Sequence, residues 1–475
     1  MAQSPLSQTS SPIKRSFGKA VSRFVSVAAA AALLSTSVIA PATAQRGKLP
    51  LVRDAETEDL LRDYAKPIFA AAGVPSAQVD IILVNDKGFN AFVPDARRMF
   101  INLGVILDAE TPGEVIGVIA HETGHIAGNH LARLRQAASQ AQIIAVIGAI
   151  LGAGAIAAGA SSGSVDVSRG GAGLATAGAG FGKRSLLSYQ RSEEASADRA
   201  ALTYLEKTGQ SAKGMLKTFS RFADQALFSS RYADPYALSH PLPRERYNAL
   251  EEVAKKSRYF DKSDPPSLQL RHDLVRAKLL AYTSHPSTVE RAYPRSDKSL
   301  PAQYARAVVA SQTKSGDRAA KAVDDLIRQM PNNPYFYELK GQSLLESGKP
   351  RAAIDPFRKA VALRPNEGQF LVWLGFAMVA SNDASLLPEA ERILKAGLQI
   401  DANSQIGFSQ LAIALARQGK TPEADLATAQ GLMARGDFQG AKRYASRAQK
   451  NLKSGTRPWL QADDILSYKP PKLSR

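Results

Sequence analysis

Over residues 54–72 the apolar positions Leu60, Leu61, Tyr64 and Ile68 recur at helical intervals, which predicts an amphipathic helix. The period then changes. Residues 79–84 form a β-rich run, and 89–93 with 100–103 read as a hairpin turning at Pro94-Asp95. Thr111-Pro112-Gly113-Glu114 joins an N-cap threonine, a proline in the first turn and a glutamate three residues on, so a helix is expected to start there and run to 134. Another is expected over 192–207, closed by Gly209. Between them, 136–165 carries no charge, 143–160 is long and apolar enough to cross a bilayer, and 170–182 is glycine-rich, as suits a hinge. Past Pro265-Pro266 the pattern is almost entirely helical.

That second half repeats itself. Pro331 to Pro365, Leu339 to Trp373 and Gly341 to Gly375 are each 34 residues apart, the period of a tetratricopeptide repeat. Within one unit Tyr337, Gly341, Leu344, Ala353, Phe357, Ala360 and Pro365 fall at packing positions. Gly341 and Ala353 are small enough for paired helices to approach, and Phe357 fills the space between them. The next unit matches at Leu374, Gly375 and Met378, then needs three inserted residues to align Ala390, Leu394 and Gly397. An all-α solenoid is expected over 266–460, with a tail at 461–475 and a concave groove that binds a partner.

The chain has 475 residues, enough for two or three domains. With 44% apolar and 22% charged residues it is neither globally disordered nor a polytopic membrane protein. There is no cysteine, so disulfides, thiolate metal sites and cysteine nucleophiles are excluded. A metal would need imidazole and carboxylate ligands, and the chain has only six histidines. Residues 1–44 have the build of a cleavable export signal: basic Lys14, Arg15, Lys19 and Arg23, an uncharged stretch over 24–40, and Ala42-Thr43-Ala44 before Gln45. A membrane anchor is disfavoured by Ser35-Thr36-Ser37 and Pro41. The net charge of +18 becomes +14 without those four basic residues and is spread along the chain. Nucleic acid is a poor partner after export, whereas an anionic lipid surface is compatible, as is a merely soluble basic surface.

The chemistry concentrates on the helix that starts at Thr111. His121-Glu122-Thr123-Gly124-His125 places two imidazoles four residues apart on one face, with Glu122 beside them. A catalytic zinc wants three protein ligands and an open position. His130, five residues past His125, points elsewhere on the same helix. Glu193, Glu194 and Asp198 lie on the helix 192–207. Glu194 and Asp198 share a face, so Glu194 can ligate while Asp198 accepts the outer N–H of a ligating histidine. Glu193 suits a solvated helix start.

His121-Glu122-x-x-His125 followed by Glu194-x-x-x-Asp198 resembles the zinc metallopeptidase family of HtpX and the CAAX prenyl proteases. Asn90-Ala91-Phe92-Val93 and His240-Pro241-x-x-x-x-Arg246 resemble its other signatures, and an export signal plus a repeat tail is similar to its exported periplasmic branch. The resemblance covers about residues 50–255. It implies an α+β zincin-type metallopeptidase domain over 45–265, with one zinc held by His121, His125 and Glu194. Glu122 would act as general base, and the strand 90–93 would bind substrate as an added strand. The implied substrates are unfolded or misassembled outer-membrane proteins in the periplasm of a Gram-negative bacterium. The repeat groove would recruit the assembly machinery. The resemblance also offers His240 with Arg246 as an oxyanion pair. Alternatively His240 fills the fourth metal position as a latch, leaving Arg246 as the transition-state contact; this second arrangement is the one expected.

A single membrane span over 143–160 would separate His121 and His125 from Glu194. The segment therefore either dips into a membrane and returns or is an interfacial helix or lid over the cleft; of these, a mobile, membrane-touching lid over 136–182 is expected. The competing function is a periplasmic chaperone or scaffold with an idle metal site. Deleting 301–475 is expected to spare hydrolysis of a generic unfolded substrate but to remove recruitment to partners.

Overall fold

The computed structural model describes residues 49–162, 165–223, 240, 244–312 and 316–470. The expected export signal, and the prolines that flank His240, lie outside the described residues. Leu51–Gly128 together with the chain from Glu194 onward form one compact unit; Asn129–Glu193 lie in another.

In the first unit, β1 (Leu51–Val52) is followed by α1 (Ala55–Ala72), β2 (Asp80–Val84), β3 (Ala91–Asp95) and β4 (Arg98–Asn102). Asp54 caps α1 by accepting from the Thr57 amide at 2.8 Å, and Gly73, at φ 69°, closes it in the left-handed conformation. The sheet order is β1-β2-β4-β3, with β2 and β4 parallel and the outer pairs antiparallel. The expected hairpin is present but turns at Ala96-Arg97, where the Asp95 side chain accepts from the Arg97 amide at 2.9 Å. Pro94 stays inside β3, which an end strand tolerates because one side carries no ladder. Leu83, Met99 and Ile101 pack against Leu60, Leu61, Tyr64 and Ile68 of α1, and this core continues into Val115, Val118 and Ile119.

After α2 (Leu103–Asp108), α3 (Pro112–Ala127) begins at the expected capping box but stops seven residues before the expected end. Asn129, at φ 52°, breaks the helix, a conformation asparagine tolerates better than most residues. In the other unit, α4 (His130–Ser162) and the first part of α5 (Val165–Lys207) lie antiparallel. Their seam is made of small residues: Gly148 faces Gly178, Gly171 faces Gly152 and Ile156, and Gly182 faces Ala141. The glycines at 170–182 are thus helical, not a hinge. Each costs about 1 kcal/mol in helix propensity; at Gly171, Gly178 and Gly182 close backbone approach offsets it. For the same reason α5 starts 27 residues before the expected Ser192.

Helices α6 (Lys213–Ala223) and α7 (Arg244–Ala254) complete this core. The repeats follow from Pro266 to Ser467. A Cβ on Gly341 would lie 2.6 Å from the Phe357 ring, and one on Gly375 2.5 Å from Leu394, so both glycines are required for close helix pairing. The expected insertion is the single turn Ala384–Leu386. The last helix, Arg457–Ser467, buries Ala462 and Ile465 in the array, so the array extends past the expected limit of 460.

The repeat groove departs from expectation. Its helices contact the N-terminal half of α1. The Tyr304 hydroxyl donates to Glu56 at 2.7 Å and that of Tyr335 to Asp59 at 2.8 Å. Lys278 lies 2.6 Å from Asp54, and Arg53 pairs with Asp401 at 2.6 Å. Ala55 packs on Tyr335, Ala360 and Phe370. The repeats therefore pack against α1 and the residues just before it. A chain cut at 300 would lose the Tyr304, Tyr335 and Asp401 partners of this seam.

Candidate metal centre

The site is built on α3, whose residues 114–124 are buried throughout. Lys217 and Arg221 on α6 pair with Glu114 at 3.0 and 2.7 Å and fix the helix start. Two glycines let neighbouring helices come close. A Cβ on Gly117 would lie 2.6 Å from Met215, and one on Gly124 2.9 Å from the Ala197 backbone. Gly124 therefore draws in the stretch of α5 that carries Glu194 and Asp198. Sequence reasoning overlooked this residue, although a glycine between two candidate ligands on a buried helix was the available signal.

His121 Nε2 lies 3.1 Å from His125 Nε2, 3.3 Å from His240 Nδ1 and 3.4 Å from Glu194 Oε2. His240 Nδ1 is 3.1 Å from Glu194, and His125 Nε2 is 3.4 Å from it. A tetrahedron whose centre lies about 2.0–2.1 Å from each corner has edges of about 3.3–3.4 Å, so the spacing fits one zinc-sized ion. Donor chemistry agrees with size. His121 Nδ1 lies 2.9 Å from Asp198, which turns the Nε2 lone pair inward. Asp198 is itself held by Arg246 Nε at 2.6 Å. Phe219 packs edge-on against the His121 ring.

The electrostatics favour a cation. Burial opposes the charged form of His121, but bonds to Asp198 and Glu194 outweigh it and push the imidazole up to about 10. Burial would raise Glu194, yet His240 and His121 hold it far below the usual carboxylate range. Glu122 is fully buried and neither of its oxygens accepts a hydrogen bond. Burial raises its pKa, with His240 and His121 opposing. A buried carboxylate that accepts no hydrogen bond is costly and marks a candidate site of chemistry.

The structure thus brings together His121, His125, Glu194 and His240, with Glu122 and Asp198 adjoining. Arg246, expected at the transition state, has its guanidinium on Asp198 and 3.5 Å from Glu194. Ala91, Phe92 and Val93 lie on β3 at the end of the sheet, and Asn90 directly precedes it. In the other unit, His130 is 3.1 Å from Glu193, which also takes a bond from Arg133 at 2.9 Å. Glu193 is therefore neither a ligand nor a solvated helix start. It sits mid-helix and pairs with two bases.

Residues 53–254 match Peptidase family M48, so the chain carries an M48 metallopeptidase domain, followed by a tetratricopeptide-like helical array. The chain is homologous to the beta-barrel assembly-enhancing protease of Escherichia coli (strain K12), with 25% identity over 420 residues, 86% of this chain and 82% of that one. Its Yersinia pestis namesake is 24% identical over 423 residues, 86% of this chain and 83% of that one. A Vibrio cholerae protein named for the same activity is 26% identical over 309 residues, 62% of this chain and 60% of its own length. Among solved structures, the tetratricopeptide-repeat protein YrrB matches 37% of this chain and 91% of its own, with 18% identity and a TM-score of 0.30.

Proposed function

We propose that this chain is an exported, periplasmic zinc endopeptidase acting on unfolded or misassembled outer-membrane proteins. The observation that carries the reading is the convergence of His121, His125 and Glu194 beside Glu122, which is buried and accepts no hydrogen bond. One zinc per chain, held by those three residues, supplies the Lewis acidity that polarises a peptide carbonyl and acidifies water. Glu122 takes the proton of the attacking water and delivers it to the leaving amine. Asp198 keeps the lone pair of His121 aimed inward, and Arg246 holds Asp198 in place. A substrate strand pairs with β3, which gives weak side-chain selectivity. The names of the relatives support the substrate class. The earlier repeats contact Arg53, Glu56 and Asp59 at the start of the first unit, so recruitment of the assembly machinery falls to the repeats from Gln405 on, where Ile406 and Ile413 are exposed.

The deciding experiment is metal analysis with cleavage of an unfolded barrel protein, with and without chelator. Stoichiometric zinc and chelator-sensitive cleavage are expected. Glu122→Gln should keep the metal and lose about 10²- to 10⁴-fold in rate. A purified chain without metal refutes the reading.

His240 favours a second, compatible reading. Its Nδ1 occupies the fourth corner, so the resting site is closed and latent, as a scaffold with an idle centre would also have it. His240→Ala should raise turnover and self-cleavage. A large loss instead assigns His240 to the oxyanion, and unchanged turnover removes it from the mechanism.

A further inference from the structure

The helical hairpin of α4 and α5 is inside out for a soluble protein. In water, two packed helices bury their large apolar side chains in the seam. Here the seam holds Gly148, Gly152, Gly171, Gly178 and Gly182, while Ile147, Ile150, Leu151, Leu174 and Phe181 are more than half exposed. Small residues inside and large apolar ones outside is the packing that hydrocarbon selects. His130–Ala157 is long and apolar enough to cross a membrane, and almost none of it is buried.

The occupant follows from shape and charge. The exposed apolar side chains lie on both helices, Ile147, Ile150 and Leu151 on α4 and Leu174 and Phe181 on α5. A fluid would cover both helices at once, whereas a second copy need cover only one. The uncharged stretch 170–182 of α5 is about 20 Å long, enough to cross the hydrocarbon of one leaflet. Exposed Lys183 and Arg184 bound it on the side toward Glu194, and Asp166 and Arg169 at the tip. Basic residues at the base suit anionic headgroups. We infer that this hairpin inserts tip-first into an anionic phospholipid bilayer, with Lys183 and Arg184 at the headgroups. Because it joins α3 to Glu194 in the chain, the metal residues lie close in sequence to the membrane surface. The inference does not rest on the proteolytic reading.

The test uses the chain from Gln45 onward carrying Glu122→Gln, so that activity plays no part. It should float with vesicles of phosphatidylethanolamine and phosphatidylglycerol, and weakly with phosphatidylcholine alone. Phe181→Trp should show blue-shifted emission quenched by brominated acyl chains. Ile147→Asp with Ile150→Asp should lower partitioning about 100-fold or more. Lys183→Ser with Arg184→Ser should lower it about 30-fold on anionic vesicles only. Unchanged metal content and melting will show that the variants fold. Flotation that survives the aspartates, or a tryptophan that stays in water, overturns the inference. So does a lipid-free dimer that the aspartates convert to monomer, which assigns the apolar faces to a second copy.

Discussion

Two of the buried charge clusters among the described residues, the seam between α1 and the repeats and the metal centre, are balanced differently. At the seam between α1 and the repeats, Lys278 lies 2.6 Å from Asp54 and 3.3 Å from Glu56, and Glu56 also accepts from the Tyr304 hydroxyl at 2.7 Å. Each acid there faces a cation or a donor. At the metal centre, three imidazoles and a carboxylate turn lone pairs toward one point, and Glu122 receives no hydrogen bond. Burial is equal; compensation is not. A closed network of this kind is architecture, whereas one that still needs a positive charge is a site of chemistry.

The largest effect that separates the two comes from Lys278→Met. It leaves Asp54 and Glu56 buried without their cation, which should cost about 3–5 kcal/mol in chemical unfolding. Zinc stoichiometry should stay at one per chain. A variant that loses metal and keeps its stability would erase the distinction. The complementary change is smaller. Asp198→Asn keeps a polar group against His121 but removes the charge that orients it, so zinc affinity should fall about 10- to 100-fold in competition with a chelator. The metal-free protein should melt within a few degrees of wild type. A collapse of the fold would make Asp198 architectural.

The two clusters also differ in how far they can be read from sequence. His121, Glu122 and His125 lie within one helical turn, and Glu194 and Asp198 within another, so local periodicity is enough to identify them. The seam is not local. Glu56 and Asp59 look like ordinary acids near the start of a helix, and their partners Lys278, Tyr304, Tyr335 and Arg364 lie more than 200 residues away. Glycine misled at 170–182 because local propensity disfavours helix, while the pairing that requires glycine depends on a second helix. It informed at 341 and 375 because there the 34-residue period supplied the missing partner.

The pH-dependent effect lies within the seam and tests how completely it is closed. Glu338 is buried and lies in the field of Lys278, Asp54 and Glu56; its side chain accepts from Gln342 at 3.1 Å. Burial, reinforced by Asp54 and Glu56 and opposed by Lys278, pushes its pKa up to about 8. A raised carboxyl means the folded chain holds a proton that the unfolded chain has released. Its contribution to stability is therefore complete below the unfolded value near 4.5 and is lost as pH rises toward 8. The loss should approach about 1 kcal/mol per pH unit within that window. Glu338→Gln keeps the shape and the partner but cannot ionise. Its melting temperature should match wild type at pH 5 and exceed it by several degrees at pH 8. Identical pH profiles would show that Lys278 already neutralises Glu338 as a carboxylate, making the seam a full ion network.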